Sequence, residues 1–141
     1  MQHLYGNNRT YFITFRLADS FPQVKILELK NEYSYKISLI SENDIGKKKV
    51  LVDKIAIEVL GKYNEQLDIN PYGKCILKDA KIAKIVSDQI LKYHEVLYEL
   101  KCFSIMPNHV HVVLRSLGDT PEDKTDPVNI WVKKIKGSSA R

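Results

Sequence analysis

An α+β domain, built as an antiparallel sheet with helices packed on one face, is the fold class this chain predicts. Short β-branched and aromatic runs stand at residues 10–17 and 97–115, which is strand chemistry. Between them apolar residues recur at helical spacing. A Pro107-Asn108 break splits the last run into two antiparallel strands.

The first strand covers 10–17. Tyr11, Ile13, Phe15 and Leu17 fall on one side, and Phe12, Thr14 and Arg16 on the other. The second side is too polar for a closed core, so it should meet solvent or a ligand. Ser20-Phe21-Pro22-Gln23 then reads as a helix start, with Ser20 as cap and Pro22 in the first turn. Val24, Ile26 and Leu27 begin an apolar stripe. The polar stretch Asn31 to Lys49 reads as a loop or a frayed helix. From Val50 to Tyr63, Val52, Ile55, Ala56, Val59, Leu60 and Tyr63 recur at helical spacing, and Asn70-Pro71-Tyr72-Gly73 is a turn.

A further helix should run from Asp79 to about His94, burying Ile82, Ile85, Val86, Ile90 and Tyr93. Strands follow at 97–106 and 109–115, then a polar loop from Gly118 to Pro127. From Val128, Ile130, Trp131 and Ile135, alternating with Lys133, Lys134 and Lys136, predict a final basic helix. The order strand, helices, helix, strand, strand, helix suits a ferredoxin-like antiparallel sheet. The chain's 141 residues, 44% hydrophobic, read as one domain over 1–141 with a core that needs no disulfide.

Composition narrows the function classes. Cys75 and Cys102 are too few for a disulfide framework and form no CxxC pair, so reduced thiols in a cytosolic protein are expected. No apolar run approaches the roughly 18 residues of a membrane span. The opening residues show no signal peptide. A cytoplasmic protein without membrane contact is therefore expected. The net charge of +5 is compatible with a nucleic-acid partner without requiring one.

His109-Val110-His111 carries the chemistry. Alternation puts both histidines on one strand face, about 6.5 Å apart along the strand, where two imidazoles can converge on one cation. Val110, Val112 and Leu114 point the other way, into the core. Imidazole binds Mn, Zn, Fe or Ni readily, and Mg less so. A bare His-x-His is more commonly two half-exposed polar residues, and His3 and His94 carry no more than that reading.

The setting of the pair adds to it. Met106-Pro107-Asn108-His109-Val110-His111-Val112-Val113-Leu114 resembles the signature of the HUH-type single-strand DNA transposases, in particular the REP-associated tyrosine transposases. Tyr11 to Pro22 resembles that family's opening strand and helix start. Leu77-Lys78-Asp79 with Ile82-Ala83 and Ile85-Val86 resembles its third block, and Trp131 to Arg141 the start of its next helix. Residues 24–66 are not covered.

The resemblance implies nicking and rejoining of single-stranded or hairpin DNA through a phosphotyrosine. A divalent metal (Mg or Mn), held by His109 and His111, would offset charge on the scissile phosphate. In the family the tyrosine and a third metal ligand lie after the histidines, whereas the eight tyrosines here all lie at or before Tyr98. The chain is therefore expected to lack the tyrosine-bearing helix and to be impaired in cutting, or to be a domesticated DNA-binding protein. Upstream, Tyr11 falls on the apolar side of its strand, and Tyr93 and Tyr98 near element ends. Candidate DNA contacts are Thr14, Arg16, Asn108, Arg115, Lys133, Lys134 and Lys136. Phe12 can stack a base. The family includes helix-exchanging dimers and monomers, so a homodimer is one open assembly. A third reading is a ferredoxin-like domain with surface histidines and no nucleic-acid role.

Overall fold

The computed structural model describes residues 9–41, 46–117 and 127–139. Its elements are β1 (Thr10–Arg16), α1 (Gln23–Ser38), α2 (Lys48–Ile69), α3 (Ala80–Lys92), β2 (Tyr98–Ile105), β3 (His109–Ser116) and α4 (Pro127–Ser139), with a 3-10 turn at Ile76–Lys78 before α3. The class is α+β: the described residues form a three-stranded antiparallel sheet in the order β1-β3-β2 and four α-helices. The chain divides into two compact units. One runs from Ala18 to Lys74. The other joins the N-terminal strand, through Leu17, to the chain from Cys75 onward. None of the described helices is long and apolar enough to cross a membrane.

In the sheet unit β3 is central, so both its edges are paired. Val110, Val112 and Leu114 are each 1% exposed. They meet Ile13 of β1, Val86 and Ile90 of α3, and Val128, Trp131 and Ile135 of α4 in one apolar cluster. Tyr11, Phe15 and Leu17 pack against the same cluster, as the strand alternation predicts. Asp79 caps α3, its Oδ1 accepting from the backbone N–H of Lys81 at 2.8 Å. The stripe on α3 is narrower than expected, because Ile85 is about half exposed while Val86 and Ile90 are buried. On α4, Ile130 is likewise exposed. Neither cysteine forms a disulfide: Cys75 is half-buried and Cys102 is exposed.

β2 carries an irregularity that strict alternation misses. Leu100 pairs with Leu114 and Cys102 with Val113, so Lys101 is an extra residue, a β-bulge. The bulge lets Tyr98 and Leu100, then Phe103 and Ile105, all turn toward the core. Next to it, His94 Nδ1 accepts the Leu100 N–H at 3.1 Å, so His94 has a structural hydrogen bond rather than being a bare helix end.

The Ala18–Lys74 unit departs further from expectation. Ser20 is buried but does not cap α1. The helix begins at Gln23, with Pro22 in the capping position and no side-chain cap. Of the stretch from Asn31 to Lys49, read as a loop or a frayed helix, residues 31–38 continue α1 and residues 48–49 open α2, which runs from Lys48 to Ile69. The polar residues that suggested a loop are what stabilise it. Glu32 pairs with Lys36 one turn on at 3.0 Å, and Lys36 and Lys62 reach across to Glu58 and Glu32. The pairings 36 with 58 and 32 with 62 make the two helices antiparallel. Phe21, Leu29 and Leu67 form the buried centre, flanked by Ile26, Val59 and Tyr63. At the turn after α2, Gly73 has φ of +83°, and a Cβ there would meet the backbone oxygen of Asp19 at 2.6 Å, so glycine is required. The loop expected from Gly118 to Pro127 lies, up to residue 126, outside the described residues, as do His3 and Arg141.

Candidate metal centre

The histidines sit where β3 leaves a two-residue turn. Met106 N–H donates to the His109 carbonyl at 2.9 Å, closing Pro107-Asn108 as the loop. Both loop carbonyls are used. Pro107 O accepts from Leu77 N–H at 3.1 Å, and Asn108 O from Leu17 N–H at 2.9 Å. Three segments of the sheet unit thus fix the start of β3. Arg16 lies opposite His109 and Thr14 opposite His111 in the β1–β3 register, so all four side chains share one sheet face.

On that face the two Nε2 atoms come within 3.0 Å of each other. Each ring is held from behind. His109 Nδ1 lies 2.8 Å from Asn108 Oδ1, and His111 Nδ1 lies 2.9 Å from Thr14 Oγ1. Asn108 Oδ1 can only accept, so His109 Nδ1 carries the proton and its Nε2 presents a lone pair. Two bare lone pairs at that separation would repel, so the geometry asks for a proton or a cation between the rings. Donors 3.0 Å apart, each about 2.1 Å from one ion, subtend roughly 90° at it. That suits adjacent positions of an octahedral ion better than a tetrahedral site, which needs about 3.4 Å. The residues present therefore fit a divalent metal, with His109 and His111 as the two nitrogen ligands.

The expectation of an open second sheet face divides here. Phe12 is 55% exposed, but His109 is 1% exposed and Asn108 fully buried. Asn108 and Thr14, read from sequence as candidate DNA contacts, each lie within hydrogen-bond distance of one imidazole Nδ1. The cue for those roles was register: residue 14 faces 111, which only the strand pairing reveals.

The basic candidates are dispersed. Arg16 Nη1 donates to the Leu17 carbonyl at 3.2 Å. Arg115 forms an ion pair with Glu99, which Lys101 also contacts. These cations hold the Glu99 carboxyl below its ordinary range, the Lys101 hydrogen bond most strongly. Lys133 and Lys134 are exposed on α4. The Lys136 ammonium lies 5.6 Å from the centre of the Phe15 ring. Burial, and then the like charge of Arg16, lower its pKa.

No known family model, curated protein or solved structure matches the chain significantly.

Proposed function

We propose that this chain is a transposase-type domain of the HUH kind, binding single-stranded or hairpin DNA with a divalent metal. The observation that carries the reading is the convergence of His109 and His111 Nε2 atoms at 3.0 Å, with each Nδ1 engaged by a second side chain. Held there, Mg²⁺ or Mn²⁺ would draw charge from a phosphodiester oxygen. The chain's own residues supply the rest. Asn108 and Thr14 orient the imidazoles, and Arg16, on the same face, is a phosphate partner. Arg115, Lys133, Lys134 and Lys136 belong to the same proposal as backbone contacts. The strand order fits the first three strands of a ferredoxin-like sheet, which a fourth strand after α4 would complete.

A second reading, DNA binding without cutting, is favoured by the tyrosines of the sheet unit. The Tyr98 hydroxyl donates to the Ile90 carbonyl at 2.7 Å and the side chain is fully buried. Tyr11 and Tyr93 pack against the core. None of these three lies on the histidine face. Incubation of the chain with a labelled hairpin oligonucleotide and Mn²⁺ separates the readings. A covalent adduct on a denaturing gel marks strand transfer, whereas a salt-sensitive gel shift alone marks binding. Metal affinity unchanged in the His109→Ala/His111→Ala double variant would overturn the site.

A further inference from the structure

The aromatic beside the candidate ligands points to how a single strand is gripped. Phe12 is the exposed aromatic of β1: its neighbours Tyr11 and Ile13 pack with the core, while Phe12 itself is 55% exposed. It is not loosely placed. Its ring lies nearly parallel to the His111 imidazole, with centroids 5.3 Å apart and planes inclined by 22°. His111 is itself fixed by Thr14 through Nδ1, so the stack has a rigid base. In register Phe12 faces Val113, whose half-buried side chain stands beside it on the same sheet face. The result is an aromatic surface pre-oriented by a histidine whose other edge is turned to the ligand position.

An exposed aromatic on a sheet face costs solvation unless something covers it, and nucleobases stack on such rings regardless of sequence. We propose that Phe12 is the base-stacking residue of this site. It would seat one nucleobase of a single strand, of the nucleotide whose phosphate lies at the histidine pair or of its neighbour. The 5.3 Å between the Phe12 and His111 rings limits the stacked base to that range. The inference rests on the DNA-binding reading above. It adds a position at which the strand is registered against the metal ligands, and it requires that the base be unpaired.

The test is a fluorescence-anisotropy titration of the chain, with Mn²⁺, against a hairpin oligonucleotide with a single-stranded flank. Abasic sites are placed one position at a time along the flank. Phe12→Ala should weaken binding about 5- to 100-fold, Phe12→Trp should restore it, and Phe12→Leu should not. At one flank position an abasic site should weaken wild type by the same factor while leaving Phe12→Ala unaffected. Manganese affinity should be unchanged in Phe12→Ala; a loss of metal binding with no base-dependent effect would make Phe12 a support for His111 and overturn the stacking role. Wild-type binding with no Phe12-dependent position would also overturn it, leaving the DNA reading intact. Failure of wild type to bind the oligonucleotide would overturn the DNA reading and the stacking role together.

Discussion

The two units of this chain are stabilised in different ways. The sheet unit buries a continuous apolar cluster drawn from three strands and two helices, with Val112, Leu114 and Ile135 each 1% exposed. Among its described residues, the helical hairpin from Ala18 to Lys74 buries three apolar side chains, Phe21, Leu29 and Leu67, and flanks them with a four-member ion network. Burial is worth far more per residue than exposed ion pairing. The precise geometry of the histidine pair accordingly belongs to the better-packed unit, where rigid strands and hydrogen-bonded loop carbonyls hold it.

Core truncation should show this contrast most strongly. Trp131 is 5% exposed and makes edge-to-face contacts with Tyr11 and Tyr98. Its change to alanine should cost about 3–5 kcal/mol, read by denaturant unfolding, with hydrogen exchange accelerating in α3 and the strands. Leu67→Ala, at a position with no exposure in the hairpin, should cost about 2–3 kcal/mol, with the acceleration confined to α1 and α2. Equal spread of exchange over both units in either variant would show that the division has no energetic meaning.

The same contrast marks what the amino-acid sequence made legible. In the sheet unit the strands, the Asp79 helix start, the Pro107-Asn108 turn and the shared face of the histidines follow from period-two alternation and turn chemistry. The core there is strongly patterned. In the hairpin, residues 31–38 read as a loop or a frayed helix because part of the support for their helix comes from partners 22 and 30 positions away: Lys36 by Glu58, Glu32 by Lys62. Long-range charge pairing leaves no local signal. At the site, the shared face of the two histidines was legible, but the places of Asn108 and Thr14 beside the imidazoles depend on the turn geometry and the β1 register. The burial of His109 was missed because a polar strand face was equated with an open one.

The next effects fall on the site. His109→Ala removes one of two nitrogen donors and should abolish measurable Mn²⁺ binding by calorimetry. Asn108→Ala leaves both ligands but releases the His109 ring, and should weaken binding about 10- to 100-fold. Thr14→Val, nearly isosteric, should weaken it less, since Thr14 is only half-buried and water can take the place of its hydroxyl at His111 Nδ1, whereas Asn108 is fully buried. An Asn108 variant with wild-type metal affinity would reduce that residue to a turn former.

Smaller still is the Tyr98 hydroxyl. Tyr98→Phe removes the bond to the Ile90 carbonyl and should cost about 1 kcal/mol near neutral pH. Burial, with Tyr93 adding to it, pushes the Tyr98 phenol up to about 12. A raised acid pKa means the folded state holds its proton longer than the unfolded one. Its contribution is complete below pH 10 and is lost as pH rises from 10 toward 12. Wild type should therefore lose stability over that interval more steeply than Tyr98→Phe, and parallel curves would remove the burial argument.

The smallest effect tests the hairpin's ion network. Hydrogen bonds from Lys62 and Lys36 lower the Glu32 pKa, and Lys36 chiefly lowers that of Glu58. Depressed carboxylates stabilise the folded state above their unfolded pKa and lose that contribution as pH falls through the folded one. Lys36→Gln breaks the bridge between the helices while keeping most of the aliphatic stem. It should lower the hairpin's stability only slightly, because the pairs are partly solvated and compete with water. The deficit should shrink in high salt, where screening weakens the wild-type network as well, and should fade as pH drops through the lowered pKa values of the two carboxylates and protonates them. A Lys36→Gln deficit as large as that of Leu67→Ala, or one insensitive to salt, would mean that charge rather than the Leu67 contact holds α1 against α2, and the two units would then differ in the kind of force that folds them as well as in its amount.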